Sequence, residues 1–191
     1  MKKTIIAITA IMAMISCNRS NPFFSEWDTP YGIPPFEQIQ ERDYLPAVKE
    51  GLARQQAEIQ AIIDNPEAPD FENVIAAMDR SGALLGKVIG VLFNVSESDS
   101  NDNLNKIVET AMPLISEHSS SINMNAELFA KVKAVYEADQ SGLSREQQML
   151  LKDTYDSFVE NGIGLDAAGQ EQLKAIDSEL ATLGLTFGNN L

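Results

Sequence analysis

One cysteine, one histidine and one tryptophan in 191 residues leave little material for covalent or metal chemistry. Cys17 has no partner for an intrachain disulfide. With His118 as the sole imidazole, neither a Cys/His zinc cluster nor a two-histidine metal site can be assembled from this sequence. Basic side chains are also scarce, 14 against 28 acidic ones, and the net charge is −14. That balance argues against nucleic acid as a partner, because phosphate binding needs a Lys/Arg surplus. The rest is ordinary for a globular chain: 44% hydrophobic and 22% charged, in a length that suits one domain burying roughly 70% of its unfolded surface.

Long apolar runs are confined to the start. Lys2 and Lys3 precede an eleven-residue apolar stretch, Ile5 to Ile15, broken by Thr9 and followed by Ser16-Cys17. Eleven helical residues span about 16 Å, half of a bilayer core, so the pattern fits a secretory signal and not a transmembrane anchor. Met14-Ile15-Ser16-Cys17 resembles a bacterial lipobox, with Met where Leu is usual. That resemblance implies cleavage before Cys17 and a lipid on its thiol. It places the protein in the bacterial cell envelope, lipid-anchored and facing the periplasm, with residues 1–17 as the signal. Loss of Lys2 and Lys3 would leave the remainder still more acidic, so membrane contact would come through the acyl chains.

Residues 18–42 hold Pro22, Pro30, Pro34 and Pro35 among Phe23, Phe24, Trp27, Tyr31 and Ile33. Proline at this density forbids helix and weakens strand, while so many rings need cover. The expectation is an extended arm laid over a helical body with its rings buried; a ring-lined binding groove is the alternative.

From residue 43 to 191 the pattern is all-α, about six helices. Asp43 is expected to cap the first helix, with Pro46 in its first turn. Asp70 caps a long second segment through Phe93, whose Gly82, Gly86 and Gly90 suggest close helix packing. A third helix begins after the polar run 98–103, and Pro113 predicts a kink or break in it. Asn125 caps a fourth, Ser144 with Gln147 forms a capping box for a fifth, and Gly162 and Gly164 close that one. The last helix carries Leu173, Ile176, Leu180, Leu183 and Phe187 in steps of three and four, a stripe that asks for a partner helix. This stripe is still apolar as Leu191 is reached, which reads as a domain cut short at its carboxyl end.

Motifs for chemistry fail on inspection. Asp99, Asn101 and Asn103 fit the start of a calcium loop, but Leu104 stands where glycine is required and Thr110 where glutamate is. His118 follows Glu117 without a second histidine, and Ser119 to Ser121 lack a strand-turn-helix setting. Near a helix end, His118 reads as a favourable dipole or cap. Glu171 with Glu179, and Asp153 with Asp156, read as solvated faces. No catalytic or metal-binding residue is assigned.

The ordered motifs NPFF (21–24), TPYGIPPF (29–36), DYLPA (43–47), FENVI (71–75), SGALL (81–85), FNV (93–95), LFAKVKAVY (128–136) and ELATL (179–183) resemble the thimet oligopeptidase-like zinc metallopeptidases. The likeness is to the amino-terminal part of the peptidyl-dipeptidase and oligopeptidase A branch, with Tyr44 where histidine is more usual. It implies one portion of a larger, two-lobed helical enzyme that degrades short peptides through a deep channel, this portion forming wall and lid. It also implies that zinc in the full-length family is held by an H-E-x-x-H helix and a downstream glutamate beyond position 191. This chain would then bind no zinc and be inactive without the missing carboxyl-terminal catalytic domain. The alternative function is a stand-alone helical lipoprotein acting as a binding or interaction module.

Overall fold

A computed structural model describes residues 19–188. Cys17 and the signal expected at 1–17 lie outside them, as does Leu191. The chain is all-helical, with no strand among the described residues.

The first long helix, α1 (Glu41–Asp64), starts three residues earlier than the sequence suggests. Gln40 is its N-cap, and Asp43 sits at N3, where its carboxylate accepts the Gln40 N–H at 2.7 Å. Pro46 therefore lies inside the second turn, beyond the position where its missing N–H is free of consequence. Asp43 is nonetheless well satisfied: Arg19 pairs with it at 3.3 Å, and Asn21 Nδ2 donates to its carbonyl at 2.7 Å. These contacts staple the arm to the head of α1.

The arm is not uniformly extended; it holds 3₁₀ turns at Pro22–Phe24 and Pro30–Gly32. Only its first half packs as expected. Phe23 is buried against Tyr44 (5.5 Å between ring centroids) and near Trp27 (6.1 Å), and Trp27 Nε1 donates to Pro22 O at 3.1 Å. Lys87 caps the Trp27 ring at 3.9 Å and donates to Ser25 O at 2.7 Å. Phe24 is an exception within that half, and with Tyr31, Ile33 and Phe36 it remains exposed, so the expectation of buried rings holds for Phe23 and in part for Trp27. In the second half Tyr31 (φ 61°) and Gly32 (φ 67°) turn the chain sharply and leave Tyr31 fully in solvent.

Asp70 caps the next segment, accepting from Asn73 N–H at 2.8 Å, while Asn73 Oδ1 accepts the Asp70 N–H at 2.9 Å. A π-helical turn, Phe71–Ala76, runs into the short α2 (Ala77–Arg80). The single long segment expected here is interrupted: Ser81 is extended and Gly82 left-handed (φ 72°) before α3 (Ala83–Ser98). Of the three glycines expected to pack closely, Gly82 does approach α1, where an added Cβ would clash with the Gln55 side chain, whereas a Cβ on Gly86 or Gly90 would meet nothing within 4 Å. The intimate crossing is at Gly51 of α1, where an added Cβ would lie 2.9 Å from Leu85 Cα on α3.

Next, α4 (Asp102–Asn123) is capped by Asn101 and runs unbroken past Pro113, so of the kink or break expected there the break is not found. Then α5 (Ala126–Glu137) is capped by Asn125, and α6 (Arg145–Glu160) by the Ser144/Gln147 box. Gly162 (φ 83°) ends α6 in a Schellman turn, with Ile163 N–H to Phe158 O and Gly162 N–H to Val159 O. The last helix is α7 (Ala167–Gly188).

Two hydrophobic clusters share α1. Its first half, with Tyr44, Ala47 and Val48, packs with Phe23, Val88, Leu92 and Leu104 from the arm, α3 and α4. Its second half, with Ile59 and Ile62, packs with Val74, Ile75, Leu128, Val132, Leu151 and Phe158 from the π-turn, α5 and α6. Tyr136 and Tyr155 stack at 4.0 Å beside the second cluster, and Phe129 tilts between Tyr155 and Phe158.

Candidate functional site

Between the two clusters lies a polar seam. Gln55 and Glu58 on α1 face the Ser81-Gly82 break and His118 on α4. His118 Nε2 and Gln55 Oε1 are 3.0 Å apart, so the ring presents N–H to the amide oxygen. Gln55 Nε2 reaches Ser81 Oγ at 3.4 Å, Ser81 Oγ donates to Met78 O at 2.7 Å, and Glu58 accepts the Gly82 N–H at 2.7 Å. Burial lowers the His118 pKa, which favours the neutral ring. The dipole or capping role expected for His118 is thus replaced by a cross-helix bond to α1. It follows from α4 continuing to Asn123, a turn beyond the ring. Ser121 Oγ donates to the His118 carbonyl, not to its ring, so no nucleophile–base pair is built there.

The other candidates resolve into local structure. Asn101 Oδ1 accepts from the Asn103 and Leu104 N–H groups, and its amide donates to Glu41 at 3.0 Å, which is helix capping and not calcium ligation. Asp156 pairs with Lys152 one turn away. Glu179 is exposed on α7. Among the described residues no three His, Cys, Asp or Glu side chains stand together in a way that could hold a metal ion. These residues do not fit a zinc centre.

What the fold offers instead is surface. On α7, Ile176, Leu180 and Leu183 are 53%, 60% and 56% exposed and lie on one face at i, i+4 and i+7. The helix turns back onto α6 at its start, where Leu173 and Leu165 crowd Gly162. A second feature, invisible in the sequence, is a cavity of about 480 Å³ between the arm, the head of α1 and the α3–α4 connection. Tyr44, only 4% exposed, lines it. Burial raises the Tyr44 phenol pKa, helped by the Asp43 and Glu41 carboxylates. Nothing in the local pattern marks Tyr44, Gln55 or Glu58, because their partners are distant in sequence: Phe23 for Tyr44, Ser81 and His118 for Gln55, and the Gly82 backbone for Glu58.

No family model matches the chain. Individual proteins do. Dipeptidyl carboxypeptidase of Escherichia coli (strain K12) is 38% identical over 172 residues, 90% of this chain and 25% of that protein. Oligopeptidase A of Salmonella typhimurium is 23% identical over 164 residues, 85% of this chain and 24% of its own length. Organellar oligopeptidase A of Arabidopsis thaliana is 23% identical over 173 residues, 90% of this chain and 21% of its own. The chain thus spans about a quarter of the length of the curated relatives it matches. Over the matched residues this chain is homologous to dipeptidyl carboxypeptidase and oligopeptidase A, which are proteins of the thimet oligopeptidase family.

Proposed function

We propose that this chain is the non-catalytic, amino-terminal wall of a zinc-dependent peptidyl-dipeptidase or oligopeptidase that degrades short peptides. The arm (18–42) and helical region (43–191) would form part of one lobe. Zinc and its ligands would belong to a carboxyl-terminal catalytic domain outside this sequence. The homology over nine-tenths of the chain carries the reading. The bare stripe of α7 supports it, since Ile176, Leu180 and Leu183 are placed as a helix interface without a partner among the described residues. Its test is a hybrid in which residues 19–188 replace the matching quarter of the Escherichia coli relative. Chelator-sensitive peptide hydrolysis is the expected result, lost on changing the three stripe residues to Asp. A folded, soluble hybrid without activity would sink the proposal.

A stand-alone binding lipoprotein is the second reading, and the two closed clusters favour it. It requires the full chain to be monodisperse and free of dye-binding apolar surface. In both readings Cys17 carries the lipid and holds the protein at the periplasmic side of the cell envelope. Incorporation of labelled fatty acid, abolished by Cys17→Ser, tests that.

A further inference from the structure

We propose that the cavity between the arm and the α3–α4 connection is a docking groove for a short peptide pairing Lys or Arg with a large apolar side chain. Tyr44, near the head of α1, lines this cavity. Its ring is 96% buried among Phe23 and neighbouring apolar groups, yet its hydroxyl makes no hydrogen bond among the described residues. No wholly buried side-chain nitrogen or oxygen among those residues lacks a partner, so the Tyr44 hydroxyl lies in the small part of the residue that remains accessible. The Glu41 carboxylate that helps raise the Tyr44 phenol pKa lines the cavity too, which puts the hydroxyl on the cavity side. A phenol held rigidly by packing, with its donor and acceptor capacity unspent, is placed to meet a ligand.

The remaining lining sets the ligand's chemistry. Phe36, Ile39 and Leu104 give apolar wall, and Phe36 is half-exposed, as a group waiting for cover would be. Glu41 and Asp99 stand at the exposed side, and no cation lines the cavity. Glu41 accepts one bond from Asn101, while the Asp99 carboxylate has no ion pair or hydrogen bond among the described residues. Two carboxylates in a lining that mixes these apolar groups with Asn94, Ser98 and Asn101, on a chain of net charge −14, attract a cation that carries some apolar surface and repel an anion. About 480 Å³ accommodates one or two side chains, within the range of small-ligand sites. The inference does not draw on the peptidase reading and stands or falls separately from it.

The test uses the purified full chain and a fluorescein-labelled tetrapeptide of alternating Lys and Leu, followed by anisotropy. Saturable binding that weakens with added salt is expected, with no binding of the Glu/Leu peptide of the same length. Tyr44→Phe should weaken binding roughly three- to tenfold, the loss of one hydrogen bond, without lowering the melting temperature. Asp99→Asn should weaken it and flatten the salt dependence, while Glu127→Gln, on α5, leaves both unchanged. Absence of saturable binding overturns the proposal. So does wild-type affinity in both Tyr44→Phe and Asp99→Asn, or an effect of Glu127→Gln equal to that of Asp99→Asn.

Discussion

Replacing Gly51 by alanine isolates the closest helix crossing in the fold. In an isolated helix the change would stabilise by about 1 kcal/mol, because glycine is the poorer helix former. Here the new methyl would stand 2.9 Å from Leu85 Cα and 3.0 Å from Leu85 N, both backbone atoms of α3. Carbon contacts are comfortable at about 3.5–4.0 Å, so α1 and α3 must part by roughly 0.6 Å or more. A gap of that size forfeits about a quarter to a half of the dispersion wells between the two helices. Overpacking typically costs about 1–3 kcal/mol, and backbone against backbone belongs at the upper end because neither side can rotate away. Set against the propensity gain, the net loss is about 2 kcal/mol, a fall of about 4–8 °C in melting temperature for a domain of this size. Gly86→Ala is the matched control: it is exposed, helical, on α3, and its Cβ meets nothing within 4 Å. It should raise the melting temperature by about 2–4 °C through propensity alone. Thermal melts followed by circular dichroism read both. A Gly51→Ala protein melting at or above the parent would refute the account of the crossing.

Three further outcomes follow from the same structure. Burial holds the His118 pKa below its ordinary value, so the unfolded chain binds a proton that the folded one resists; stability should be fully present above about pH 6.5 and fall as pH drops from there toward the folded pKa. His118→Gln should remove that part of the slope in urea titrations run across pH. Leu128→Ala, at a fully buried site in the α5–α6 cluster, should cost about 2–5 kcal/mol in urea unfolding. Lys87→Met should loosen the arm by about 1–2 kcal/mol, losing the Trp27 contact and the bond to Ser25 O, and a red shift of the single tryptophan's emission reports it.

Helix starts were legible because their signals are local. Asp70, Asn125 and the Ser144/Gln147 box each bond to backbone or side chains within three residues, and the structure places a helix after each. Features set by distant partners were not. The Ser81-Gly82 break leaves the apolar periodicity almost undisturbed, because a left-handed residue changes direction without changing spacing. Gly86 and Gly90 drew attention by regular spacing, while the glycine that matters, Gly51, stands alone in a helix whose stripe reads normally. Ring count predicts cover for the whole arm, but Phe24 faces solvent and the turn at Tyr31-Gly32 leaves Tyr31 and Ile33 exposed before Ile39 packs back on the first cluster. Among the surfaces that bear on function, the α7 stripe was readable from three- and four-residue steps. The Tyr44 cavity was not, since it is assembled from three segments of the chain.

A single rod, α1, braces both apolar clusters. At 24 residues it is about 36 Å long, and the arm grips its head through Asp43 while Lys131 holds its foot through the Asn65 carbonyl. Because this one rod carries part of both clusters, a substitution that displaces it at the Gly51 crossing is felt on both sides of the fold.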